Sequence, residues 1–162
     1  MRAGQVARNP ELPVGIAISV SWRYTEIVPE SFHGAIAADN FLDLMRQIEN
    51  GLRYSVLEDL AAATGLRTAD IATITGIRKR TLARRKSDGR LAPDESERLV
   101  RFSRIFRSAT ELFDGDQQAA IRWLNSPHKA LGGKPAMSYL ASEAGAREVE
   151  HLIGRLEHGV FS

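Results

Sequence analysis

Between residues 68 and 90 a short apolar-patterned segment, one glycine and a strongly basic segment follow in that order, and this limits the fold more than any other feature of the chain. Thr68 is placed to cap a helix over residues 69–75, because a hydroxyl there can accept an otherwise orphaned backbone N–H. Gly76 breaks that helix, and residues 78–86 form the next. A short helix, a tight turn and a second helix make a helix-turn-helix. In this reading Ala72 sits where the helices cross and only a small side chain fits, while Ile71, Ile77 and Leu82 share the core. The position three after Leu82, usually apolar in such units, is Arg85, so Leu91 or Phe102 is left to fill that part of the core.

The second helix is where the charge sits. Residues 76–90 hold seven basic side chains and one acid, Asp88, a local charge of +6 in a chain whose formal total is +2. The rest of the chain is therefore net acidic, and a basic helix set in an acidic protein implies a polyanion as partner. A merely solvated face would mix signs to form i,i+4 pairs, and this one has no acid before Asp88. Arg78, Lys79, Arg80 and Thr81 are assigned to the major groove and Arg84, Arg85 and Lys86 to phosphates, with Arg90 at the far end of the same run. DNA is favoured over RNA because no aromatic side chain interrupts the run to stack unpaired bases.

Helical spacing continues on both sides. Phe41, Leu42, Met45 and Ile48 recur at helical intervals and stop at Asn50-Gly51; a second helix opens at Tyr54 or Ser55 and ends at Gly65. Pro93 begins a long helix, with Asp94 as its cap, Glu97 three residues on, and a buried stripe of Leu99, Phe102, Phe106, Ala109 and Phe113. Asp116 caps a short helix stopped at residues 125–127, Pro135 starts another containing Met137, Tyr139 and Leu140, and a last helix runs from Ala146 to Gly159. The fold class is all-α, apart from a short N-terminal strand on which Ile16, Ile18, Val20, Trp22 and Tyr24 share a face. A lone strand is marginal, so that segment pairs across a dimer, adds to a partner, or stays disordered. The organisation is an N-terminal segment over 1–38, a helix-turn-helix region over 39–92 and a helical domain over 93–162.

Several chemistries find no residues to carry them. With no cysteine there is neither a disulfide framework nor a thiolate metal site. Of His33, His128, His151 and His158, only the last two share a helix face, and no third ligand is spaced to join them, so no metal is expected. Gly132-Gly133-Lys134 lacks the spacing of a phosphate loop and reads as a connection. No paired carboxylates or nucleophile with a base stand out, so neither an enzyme nor a cofactor is expected. The apolar run at residues 13–22 is preceded by Glu11, followed by Arg23 and Glu26, and too short to span a bilayer. The expected location is the cytoplasm, with no membrane partner. At the other end, Phe161 either folds back on its own bundle or enters a partner's pocket.

Read together, Arg80-Thr81-Leu82-Ala83-Arg84-Arg85-Lys86 with Leu91, Glu95-Ser96-Glu97-Arg98-Leu99, Trp123-Leu124-Asn125-Ser126-Pro127, Leu131-Gly132-Gly133-Lys134-Pro135, Gly145-Ala146-Arg147-Glu148-Val149-Glu150 and Gly159-Val160-Phe161-Ser162 resemble the Xre/MbcA/ParS-type antitoxins. The resemblance covers roughly residues 57–162. It implies a helix-turn-helix that binds the operator of its own operon and a C-terminal domain that binds a RES-domain toxin, a protein that consumes NAD or uses it for ADP-ribosylation. It implies further that Gly159, Val160, Phe161 and Ser162, with Arg155 and His158 beside them, occlude the toxin's pocket, Phe161 through apolar burial and the terminal carboxylate against basic groups that otherwise hold the dinucleotide. A homodimer is expected, since one short recognition helix reads too few base pairs for specificity. The competing reading is a free-standing helix-turn-helix regulator whose C-terminal bundle dimerises or senses a small molecule.

Overall fold

Several of the described helices end at or just before a glycine with positive φ: Gly65 and Gly89 are C-caps, and Gly76 and Gly159 follow one residue after the cap. The computed structural model describes residues 41–159. In chain order these form α1 (Phe41–Glu49), α2 (Tyr54–Thr64), α3 (Thr68–Ile74), α4 (Lys79–Asp88), α5 (Pro93–Leu112), α6 (Gln117–Asn125) and α7 (Glu143–Glu157). A two-stranded antiparallel pair, β1 (Pro127–His128) and β2 (Lys134–Pro135), lies between α6 and α7 with Pro127 opposite Pro135. Apart from that pair the described residues are helical and loop. The alternating segment from Ile16 to Tyr24 lies outside them.

α5 is the spine. Leu99, Phe102, Ile105, Phe106 and Ala109 are all buried, and α1, α6 and α7 pack around it. Each large side chain taken out of water contributes about 1.5–3 kcal/mol, so this one helix carries much of the apolar burial. Both Leu91 and Phe102 are buried. Ile71, Ala72 and Ile77 are buried as the helix-turn-helix pattern requires, and Leu82 is half-buried. Gly76 turns the chain with φ +72°, a left-handed conformation that costs a glycine little.

A second glycine is fixed by contact as well as conformation. Gly51 has φ +78°, and a Cβ there would run into the carbonyl oxygen of Leu91. The loop after α1 is spliced to the loop after α4: the Leu91 N–H donates to Leu52 O at 2.9 Å and the Tyr54 N–H to Gly89 O at 2.9 Å. Ser96, fully buried on α5, accepts from the Leu52 N–H at 2.9 Å and donates to Ala92 O at 2.8 Å.

The helix starts depart from expectation in register. Thr68 is the first helical residue of α3 and not its cap; Arg67 precedes it, and its N–H donates to Asp70 Oδ2 at 3.3 Å. Ala92, not Asp94, is the cap of α5, with Pro93 at the first turn and the Ala92 N–H donating to Glu95 Oε2 at 2.7 Å. In both cases a carboxylate inside the first turn serves the orphaned donor, which the helix dipole also favours. α7 begins three residues before Ala146, capped by Ser142 accepting from the Gly145 N–H at 3.1 Å. Asp116 caps α6 as read, accepting from the Ala119 N–H at 2.9 Å. Pro135 closes β2 and caps a helix, as read, but that helix, Ala136–Tyr139, is a short 3₁₀ one and not an α-helix. On α1 it is Leu44 that is buried and Ile48 half-buried, whereas Phe41, Leu42 and Met45 are exposed.

Candidate nucleic-acid interface and partner-binding end

α4 has no fully buried residue: Leu82 packs half-buried against the core, and most of the other side chains of the helix are exposed. Arg78 stands at its cap position in an extended backbone conformation, and Gly89 ends it with φ +71°. Arg78, Lys79, Arg80 and Arg84 are exposed, and among the described residues no carboxylate lies within ion-pair distance of any of them. Thr81 is half-buried beside them. Four unpaired cations on one short helix form a concentrated positive surface. Unpaired guanidinium groups keep all their donors for phosphate oxygens or base edges.

The other basic residues of the run are engaged. Arg85, assigned to phosphate from its position, turns inward: its Nε donates to Glu95 Oε2 at 2.7 Å, and its side chain is 19% exposed against 7% for Glu95. The hydrogen bond donated to this carboxylate is the main reason the Arg85 guanidinium holds its proton more firmly than usual, with burial opposing. Because the same Glu95 oxygen accepts from the Ala92 N–H, one carboxylate ties α4 to the start of α5 and fixes how the basic helix stands. Lys86 lies 3.6 Å from Glu58 on α2, with both groups well exposed. Arg90 is exposed and donates from Nη1 to Gly51 O at 2.7 Å.

At the other end of the fold α7 is held to α5 by ion pairs. Arg101 reaches Glu143 at 2.8 Å and Glu97 at 3.0 Å, and Arg104 reaches Glu150 at 2.6 Å. Ala146, Val149, Leu152 and Ile153 form the buried face of α7. The helix closes as the His158 N–H donates to Gly154 O at 3.2 Å, and Gly159 follows with φ +64°. Arg155, half-buried and 3.4 Å from Glu148, thus shares this end with exposed His158 and Gly159; Val160, Phe161 and Ser162 lie outside the described residues.

Two features escaped the sequence reading. One is the Arg85–Glu95 pair, whose only hint was a basic residue where an apolar one is usual. The other is an aromatic cluster in which the Trp123 and His128 ring centroids lie 4.4 Å apart at a 42° tilt, with His128 Nε2 2.9 Å from Trp123 O and Phe113 tilted against the tryptophan. It braces the turn from α6 into the strand pair. Among the described residues no helix is long and apolar enough to cross a membrane.

A helix-turn-helix whose second helix carries exposed cations without ion-pair partners among the described residues, followed through a shared spine by a second helical unit, defines a helical protein of two units, one of them basic on its surface. Comparison with known proteins gives that class its family. Residues 43–104 match the Xre-like antitoxin helix-turn-helix domain and residues 108–159 the C-terminal toxin-binding domain of Xre/MbcA/ParS antitoxins. The chain is 45% identical to an Antitoxin Xre from Yersinia enterocolitica over 120 residues, 74% of this chain and 81% of the relative. It is 37% identical to one from Photorhabdus laumondii over 116 residues, covering 71% and 78%, and 35% identical to one from Pseudomonas putida over 81 residues, covering 49% and 50%. The chain belongs to the Xre antitoxins. The two matched spans abut inside α5, between residues 104 and 108, so the spine serves both units.

Proposed function

We propose that this antitoxin neutralises a RES-domain, NAD-consuming toxin by occluding its active site, and that as a cytoplasmic homodimer it represses its own operon. The observation that carries the reading is the coexistence of a toxin-binding match ending at Gly159 with unpaired Arg78, Lys79, Arg80 and Arg84 on α4. In this division residues 39–92 meet the operator and residues 93–162 meet the toxin. Thr81 and the four free cations approach the groove and its flanking phosphates. Lys86 and Arg90 sit further along the same basic run. The end of α7 is the toxin-facing element: Arg155 and His158 flank the pocket mouth, and Gly159 releases the helix so that Val160, Phe161 and Ser162 can enter.

Two α4 helices, each of ten residues, read paired half-sites better than one reads a single site, which is the argument for the homodimer. The test is affinity purification in high salt, which strips nucleic acid and leaves a hydrophobic protein interface. A stoichiometric RES-domain protein is the expected companion. Recovery of the chain alone would favour the free-standing regulator. Truncation after His158 then addresses the occlusion: undiminished toxin inhibition by the shortened chain would refute it.

A further inference from the structure

A groove of about 630 Å³ opens between the end of α1 and the start of α2, floored by the core residues Leu52 and Val56, and three arginines line it: Arg46, Arg53 and Arg90. No carboxylate is among its lining residues. Arg46 lies in the last turn of α1, Arg53 at the cap of α2, and Arg90 just after α4, so the loop splice described above brings together residues distant in sequence. All three are exposed, and Arg53 and Arg90 face each other as an antiparallel backbone bridge. Among the described residues neither Arg46 nor Arg53 has a carboxylate within ion-pair distance, and Arg90 spends one donor on Gly51 O. Gln47 and Asn50 complete the wall; Gln47 donates to Asp43 at 3.1 Å and Asn50 to Arg46 O at 2.8 Å. The first turn of α2 carries no acid, so its dipole favours an anion, against the opposite dipole of the α1 C-terminal end that shares the groove; the net positive potential is set by the arginines.

We propose that this groove binds phosphate, and that its ligand is a backbone phosphate of the DNA held by α4. Three guanidinium groups without a counter-anion concentrate positive potential in a concave site, where planar N–H forks match phosphate oxygens. Arg90 links the groove to the basic helix, since only Gly89 separates it from Asp88. The inference rests on the nucleic-acid reading for the source of the phosphate, though not for the anion chemistry. It extends the interface to α1 and α2, elements outside the two helices of the helix-turn-helix.

The experiment compares the full chain with R46Q/R53Q and with R46K/R53K, leaving Arg90 in place because it supports Gly51. Duplex binding is measured against salt, and pyrophosphate is titrated in the absence of DNA with the Tm as readout. Each neutralised phosphate contributes about 0.9 to the log–log salt slope, so the glutamine pair, which removes the hold on one phosphate, should flatten it by about 0.9 and the lysine pair should restore most of the loss. An unchanged slope together with a pyrophosphate-dependent rise in Tm that only R46Q/R53Q lacks would keep the phosphate site and assign it a free phosphate ligand. If the wild-type chain binds no duplex, the nucleic-acid reading fails on its own and the pyrophosphate titration alone decides the groove. An unchanged slope with no pyrophosphate effect overturns the proposal.

Discussion

α4 and α5 are neighbouring helices, both rich in arginine, yet they use it in opposite ways. On α5 each of Arg98, Arg101, Arg104 and Arg107 lies within 4 Å of a carboxylate, from Asp94, Glu97, Glu143, Glu150 or Glu111. On α4, Arg78, Lys79, Arg80 and Arg84 have no such neighbour among the described residues, and Asp88, four residues after Arg84, lies instead 3.9 Å from Arg85. The difference is set by where acids fall. Asp94 and Glu97 stand four residues before Arg98 and Arg101, the spacing at which helix side chains meet, whereas the corresponding positions on α4 are neutral or basic. Arginine on α5 is spent on carboxylates within the fold, whereas Arg80 and Arg84 on α4 are exposed with no ion-pair partner among the described residues. Arg85 is the exception that joins them, a residue of the basic helix used as α5 uses its own.

The comparison breaks most visibly if α4 is neutralised. Lys79→Ala, Arg80→Ala and Arg84→Ala together should weaken operator binding in 0.1 M salt by roughly two to three powers of ten and flatten the salt slope by about 3. Thermal stability should stay within about 0.5 kcal/mol of wild type, since none of the three touches the core. Filter binding across a salt series, with a denaturation curve of the same protein, checks both; a large loss of stability would mean that α4 is structural after all. Arg85→Ala should do the reverse. Leaving Glu95 buried without its partner should destabilise the fold by about 2–3 kcal/mol, read from urea denaturation, while the slope for the residual folded protein changes by less than about 1. Arg101→Ala comes next, at about 1–2 kcal/mol, because its partners Glu97 and Glu143 are themselves partly in water.

How much of this was readable beforehand follows the same division between local and distant partners. The helices were legible because their apolar spacing and their stops lie within one or two turns, and the α3, Gly76, α4 succession carried the basic surface with it. The inward turn of Arg85 was not, since its partner lies ten residues away across a glycine turn and belongs to another helix. The arginine groove was invisible for a stronger form of the same reason: residues 46, 53 and 90 meet only after two loops have paired. On α1 the apolar residues are spread around the helix, and periodicity could not tell the Leu44 and Ile48 side, which the core takes, from the Phe41 and Met45 side, which it leaves out. Registers at helix starts shifted because several acids near Pro93 could serve as caps, and only the backbone decides which carboxylate reaches the free N–H.

The smallest effect tests whether an exposed ion pair on the toxin-binding side matters at all. Glu143 begins α7, and its carboxyl is held below the ordinary carboxylate value of 4.5, first by its hydrogen bond from Arg147 and also by the positive charge of Arg101, with burial opposing. A group whose folded pKa is depressed adds stability that is complete above its unfolded pKa and disappears as the pH falls through the folded one. The contribution of Glu143 should therefore be constant near neutrality, begin to decline near pH 4.5 and be gone once the pH has fallen below its folded value. Since its side chain is 49% exposed, solvent screening limits the contribution to under about 0.5 kcal/mol. Denaturation of wild type and Glu143→Gln at a series of pH values should give curves separated slightly at neutral pH and converging in acid. If they stay apart at the lowest pH where the protein is folded, the glutamine is disturbing the packing of α7 against α5 and the ion pair is not the cause.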